Sequence, residues 1–253
     1  VSEQGYNEGL DIKYSPDQTI VVSGYYNTNP LIIYDGPDGL TPSGISLTNV
    51  NNTNINITGN DINTTPDIFL IKFRLNGTAL WATKISGTIT QFNTSVWASE
   101  FSGISNQFYT TIAIDPDANI IITGTYNQGP VQIFNTPSGT ILSTINLIIT
   151  GTISTYIIKY GPRGNAIWAT RISGALSQVS NGIATDSDSN IIVSGYFSAP
   201  VTVFYSSDGT TPFTLENVSE ISAFTVKYDR CGNALWAVKQ ENNGITQALN
   251  VAV

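Results

Sequence analysis

Along most of the chain apolar and polar residues alternate in short runs that end at Gly, Pro, Asn or Asp. Alternation of this kind is the mark of strands with one face buried, and no stretch carries the 3.6-residue period of an amphipathic helix. In the run "FTVKYD", Phe224, Val226 and Tyr228 fall on one face, with Thr225 and Lys227 on the other. The same grouping returns at Tyr156, Ile158 and Tyr160 and at Phe69, Ile71 and Phe73. A turn glycine follows each run (Gly77, Gly164, Gly232), where a short hairpin loop calls for positive φ. A second strand then returns, in which period two places Trp81, Trp168 and Trp236 on one face with Ala79, Ala166 and Ala234. Ahead of the last hairpin lie a short strand "NGIATD" at 181–186, a turn, the strand "NIIVSGYF" and a variable section beginning "APVTVFY".

These segments recur as a set. "FLIKFRLNGTALWATKISG", "YIIKYGPRGNAIWATRISG" and "FTVKYDRCGNALWAVKQ" are copies of one hairpin, preceded by "SPDQTIVVSGYYN", "DPDANIIITGTYN" and "DSDSNIIVSGYFS". The chain therefore reads as tandem units of four antiparallel strands, and a unit that cannot bury both sheet faces alone must stack on its neighbours. The expected architecture is all-β and β-propeller-like, a single domain over 1–253. Blade one covers about 9–87, an insertion 88–109, blade two about 110–174 and blade three about 181–240. Residues 245–253, "ITQALNVAV", align with the first strand of a fourth blade. Three blades are fewer than normally close a ring. The last strand is therefore expected to pair in trans, or another chain or further sequence to complete the ring; the alternative is that it seals against the first blade.

The pattern D-x-D-x-N-I-I-x-[ST]-G-x-[YF], then P-V-x-[IV]-F, then [IV]-K-Y-x-x-x-G-N-A-[IL]-W-A resembles the seven-bladed-propeller-type (SBBP-like) repeats. Such repeats occur in secreted bacterial surface proteins and in proteins of giant DNA viruses. The resemblance covers most of the chain and implies a propeller fold. It implies little about activity, because propellers host many functions.

Composition narrows the chemistry. With no His and one Cys (Cys231), the commonest general base, the commonest zinc ligand and any internal disulfide are absent. A net charge of −8 argues against nucleic acid and anionic membranes as partners, and no apolar run is long enough to span a bilayer as a helix. No basic-then-apolar leader opens the chain, so a targeting segment is expected to have been removed or never present. Nine of the ten basic residues lie in the three hairpins. Those at the positions of Lys72, Lys159 and Lys227 are expected to lay their stems on the sheet with their heads in water, as is Arg171.

Five groups of residues are candidates for function. Asp115, Asp117 and Asn119, with Asp186, Asp188 and Asn190, alternate oxygen ligands as calcium loops do, but the later carboxylate of such a loop is missing. Asp and Asn also favour tight turns, and the turn reading is preferred, with no cofactor expected. The Trp trio reads as blade packing rather than a sugar platform. Trp97, Phe101 and Phe108 belong to the unrepeated insertion and are candidates for a partner contact, although such a loop can also cover its own sheet edge. Ile245, Leu249 and Val251 are candidates for strand pairing in trans. Asn51, Asn56, Asn63, Asn76, Asn93 and Asn217 head glycosylation sequons, with Asn76 first of all a turn residue.

Glu3, Glu8, Glu100, Glu216, Glu220 and Glu241 are scattered and recur in no register, so paired-carboxylate catalysis is disfavoured. The expectation is a non-enzymatic structural or interaction module of an extracellular surface or virion, binding a protein partner or itself. A carbohydrate-binding propeller is the alternative, and a carboxylate-based glycan hydrolase or lyase stands behind it.

Overall fold

In a computed structural model the described residues are 7–26, 30–36, 40–48, 67–87, 110–126, 131–134, 153–203, 213–216 and 220–253. Among them there is no helix, and every named strand pairs antiparallel. The first repeat holds β1 (Asn7–Ser15), β2 (Thr19–Tyr26), β3 (Leu31–Asp35), β4 (Thr41–Leu47), β5 (Asp67–Arg74) and β6 (Ala79–Gly87). The second holds β7 (Thr110–Ile114), β8 (Ile120–Tyr126), β9 (Val131–Ile133), β10 (Ser154–Tyr160) and β11 (Ala166–Gly174). The third holds β12 (Gln178–Thr185), β13 (Ile191–Phe197), β14 (Val201–Val203), β15 (Phe213–Leu215), β16 (Ser222–Tyr228) and β17 (Ala234–Gln240).

Each repeat builds the same four-stranded core: β1-β2-β5-β6, β7-β8-β10-β11 and β12-β13-β16-β17. The variable sections do not stay with their own sheets. Val131–Ile133 pairs with β6, and β14 with its partner β15 pairs with β11, so each section extends the sheet of the repeat before it. The strand expected at 181–186 begins earlier, at Gln178. Among the described residues the sheets close into no barrel or propeller ring, and no element of the first repeat makes more than marginal contact with one of the third.

The second sheet is buried on both faces. Tyr156, Ile158 and Tyr160 join Leu70, Trp81 and Ile85 in one core, while Ile157 and Trp168 join Ile183, Val193 and Val226 in another. Burying side chains of this size contributes about 1.5–3 kcal/mol each, so the stacking of sheets is the main source of stability.

Two expectations, one about faces and one about a strand, are corrected. Trp168 lies opposite Lys159, but Tyr160 lies opposite Ala166, so Ile167 is the extra residue of a β-bulge. The same shift occurs between Lys72 and Phe73 and between Lys227 and Tyr228. A bulge reverses the alternation, so each Trp sits on the face opposite to its Ala and to the Tyr156 or Phe224 row. The second correction concerns 245–253. Ile245 forms one bridge to Ile221, and the rest takes no regular strand, because no second strand flanks it.

The glycine of the [ST]-G-x-[YF] motif has a steric reason. A Cβ on Gly195 would stand 2.0 Å from the Val179 carbonyl and 2.8 Å from the Phe224 ring; on Gly24 it would meet the Glu8 carbonyl and the Phe69 ring. The hairpin glycines Gly77, Gly164 and Gly232 have φ of 84°, 83° and 86°, as the turn pattern requires.

Candidate functional site

The residues that recur in every copy meet where one repeat stacks on the next. Lys159 donates to Asp115 Oδ2 at 2.9 Å and to the carbonyl of Arg230, in the hairpin turn of the third repeat, at 3.2 Å. The Trp168 indole N–H donates to that same carbonyl at 3.1 Å. One repeat earlier, Lys72 and Trp81 both donate to the Pro162 carbonyl, each at 3.1 Å. The lysines are not solvated as expected. Lys72 is 1% exposed and Lys159 4%, because the following repeat stacks over them, and the adjacent carboxylate and carbonyl meet the ammonium in place of water.

The carboxylates come from the turn between the first two strands of each repeat. Asp115 Oδ1 accepts from the backbone N–H groups of Asp117 and Asn119, and Oδ2 accepts from the Asn119 side chain as well as Lys159. Asp186 is held in the same way by Asp188, Asn190 and Lys227. The hydrogen bond from the Asn190 side chain, followed by that from Lys227, holds Asp186 well below the ordinary carboxylate range. In the first copy Ser15 replaces the leading Asp, and Asp17 takes over the lysine at 2.6 Å. Burial pushes Asp17 up, but hydrogen bonds from Lys72, Thr19 and Ser15 outweigh it and leave its pKa lowered.

Thus the two Asp-x-Asp-x-Asn candidates for calcium are turns whose leading carboxylate is already bonded through both oxygens. Asp117 and Asp188 line a shallow cleft of about 500 Å³ with Asp229, Arg230 and Cys231. Among the described residues no group of three or more His, Cys, Asp or Glu side chains could hold a metal ion. The sequence reading missed a third such turn. Asp229 accepts from the Cys231 and Asn233 N–H groups and from the Asn233 side chain, with the same four-residue offset from Asp to Asn that could have revealed it.

The third repeat ends in an open version of the junction. Lys227 pairs with Asp186 at 2.9 Å, but among the described residues neither Lys227 nor Trp236 bonds a turn carbonyl. Trp236 is 40% exposed against 6% for Trp168, and Leu235 and Val238 beside it are exposed. Among the described residues the outer edge of β17 pairs with no strand, whereas β6 and β11 carry β9 and β14. At the opposite end, Ile12 is 61% exposed although its counterpart Ile183 is 7% exposed, and Tyr14 and Leu75 are exposed too. There, among the described residues, β3 pairs with β4 alone.

Residues 245–253 lie along the third repeat of their own chain. Thr246 N–H donates to the Ile221 carbonyl, the Asn181 amide donates to the Ala248 carbonyl, and Asn250 and Val251 pack over Gly182. Ile245 and Leu249 are exposed and Val251 half-buried. Trp97, Phe101 and Phe108 lie outside the described residues, as do Asn51, Asn56, Asn63, Asn93 and Asn217. Asn76 is exposed in its hairpin turn and accepts from Thr78 N–H. Glu8 accepts from the Tyr25 hydroxyl and raises it to about 12; Glu241 pairs with Lys239 on the third repeat.

No family model matches the chain. A crystal structure of a protein of unknown function from Bacteroides caccae is similar at 8% identity, over 92% of this chain and 82% of that one, with a TM-score of 0.29. That likeness is too slight to bear on fold or function.

Proposed function

We propose that the protein is a non-enzymatic interaction module whose three sheets stack as blades of a β-propeller-type arrangement. It acts as a protein-binding or assembly scaffold at an extracellular surface or on a virion, as the resemblance to surface and giant-virus repeats suggests. The observation that carries this reading is the use made of the recurring polar and aromatic residues. Lys72, Lys159, Trp81 and Trp168 are consumed in holding repeat to repeat, and Asp115 in holding Lys159 and its own turn. What remains for recognition is the unrepeated insertion around Trp97, Phe101 and Phe108 and the exposed ends of the stack. A protein partner can add to a free strand edge there, with backbone hydrogen bonds giving affinity and neighbouring side chains specificity.

A glycan array and a panel of polysaccharides test the reading together. The expected result is no binding at millimolar glycan and no release of new sugar ends. Binding that disappears in Trp97→Ala would replace the scaffold by a carbohydrate-binding propeller, and turnover of any polysaccharide would overturn it altogether.

A further inference from the structure

We propose that the open face of the third repeat docks the first repeat of a second copy of this chain, head to tail. The inference rests on the scaffold reading and names its partner. Its warrant is internal, because the two closed junctions show what the open face is built to receive. Each closed junction supplies the preceding repeat with a turn carbonyl for its Lys and Trp, an apolar residue from the next first strand, and a short strand along its outer edge. At the third repeat these acceptor positions are Lys227 with Trp236 and the edge of β17.

The first repeat presents the matching set. Leu75 occupies the turn position of Pro162 and Arg230, is exposed, and its carbonyl accepts no bond among the described residues. Ile12 occupies the position of Ile112 and Ile183, both buried against the repeat before them. β3 occupies the position of β9 and β14 but lacks the outer partner that β6 and β11 give those strands. An unrelated partner would have to reproduce all three features; a second copy carries them already.

The register follows from the closed junctions. Gln132 lies opposite Ser86 and Thr202 opposite Ser173, so by the same offset from the Trp, Ile32 of the incoming copy lies opposite Glu241. The Leu75 carbonyl then accepts from Lys227 and Trp236, and Ile12 packs on the third sheet. Residues 245–253 lie across the place that the incoming β1 takes. They give way because one bridge and a few bonds hold them, whereas β1 is paired with β2 from Asn7 to Ser15 with a single irregularity at Leu10. Two reciprocal junctions close a two-fold pair that covers the exposed faces of the first and third repeats.

Sedimentation of the full chain, with mixed-disulfide formation, tests this. In a Cys231→Ser background, one preparation carries Ile32→Cys and another Glu241→Cys. Opposed residues of an antiparallel pair are within disulfide reach. Mixing the two preparations is expected to give a cross-linked pair, while each alone gives none. The uncross-linked chain is expected to sediment at twice 27.2 kDa, and Trp236→Ala, which sits on an exposed side chain, to weaken association at least about tenfold. A longer head-to-tail polymer carrying the mixed disulfide supports the same junction. A chain that stays monomeric at about 100 μM, or that cross-links only within single preparations, overturns the proposal. Either result leaves the scaffold reading intact with another partner, and turnover of a polysaccharide would remove that reading without touching the pair.

Discussion

The junction between the second and third repeats and the outer face of the third repeat are made from the same side chains. At the first, Lys159 and Trp168 are buried and share the Arg230 carbonyl; at the second, Lys227 keeps its carboxylate but Trp236 stands 40% exposed, with no carbonyl among the described residues to meet it. The hairpin keeps its Lys, its Trp and the Gly-Asn-Ala turn between them in both places. What differs is whether another repeat stacks on it, so burial and hydrogen bonding at these positions are properties of the stack and not of the hairpin. The same side chains are structural in one place and available in the other.

The sharpest way to break that comparison is to truncate the aromatic ring at both places. Trp168→Ala leaves a cavity in the core and removes one of the two donors to the Arg230 carbonyl, at an expected cost of about 3–5 kcal/mol, while Trp236→Ala costs about 1 kcal/mol of monomer stability. Urea denaturation of the two variants reads the gap, and equal losses would mean that the third face is covered. Removing the lysine gives a second contrast of similar size. Lys159→Ala strands the buried Asp115 carboxylate and is expected to cost about 3–5 kcal/mol, whereas Lys227→Ala breaks a partly exposed pair worth about 1 kcal/mol.

Next in size comes Gly195→Ala, whose added Cβ meets a backbone carbonyl at 2.0 Å and is expected to cost about 3 kcal/mol. A thermal melt shows it as a lowered midpoint, while Gly9→Ala, whose Cβ would meet only the Val22 side chain at 3.9 Å, should leave the melt nearly unchanged. The smallest effect is the pH dependence of Asp186. Its folded pKa is depressed, so its contribution is present above the unfolded carboxylate value of about 4 and is lost as pH falls through the folded value. The stability difference between the parent chain and Asp186→Asn is therefore expected to shrink on acidification below about pH 4. A difference that stays constant would mean that the hydrogen bonds from Asn190 and Lys227 do not depend on the charge.

Much of the local structure was legible from residue order. Alternation located the β16 and β17 hairpin and its two siblings, and the turn glycines fell where φ is positive. The faces of the returning strand were not legible. Period two counts residues, while the bulge at Ile167 consumes one without advancing the ladder, and nothing about Ile167 as a residue announces it. The lysines were misread for a related reason. An alternating Lys beside Tyr160 looks like a solvated position on an isolated strand, and it becomes a buried ion pair only when Asp115 and the Arg230 carbonyl close over it from other parts of the chain.

The sequence by itself determined the strands, their hairpins, the repetition and the absence of histidine chemistry, because these depend on residue type and on neighbours a few positions away. The tertiary structure alone decided which face each Trp occupies, which sheet the short strands β9 and β14 extend, and which repeat keeps its apolar face uncovered. Those outcomes depend on the bulge register and on contacts between residues distant in the sequence, such as Gly174 with Val201 and Trp168 with Arg230, which no alternation of residue types encodes.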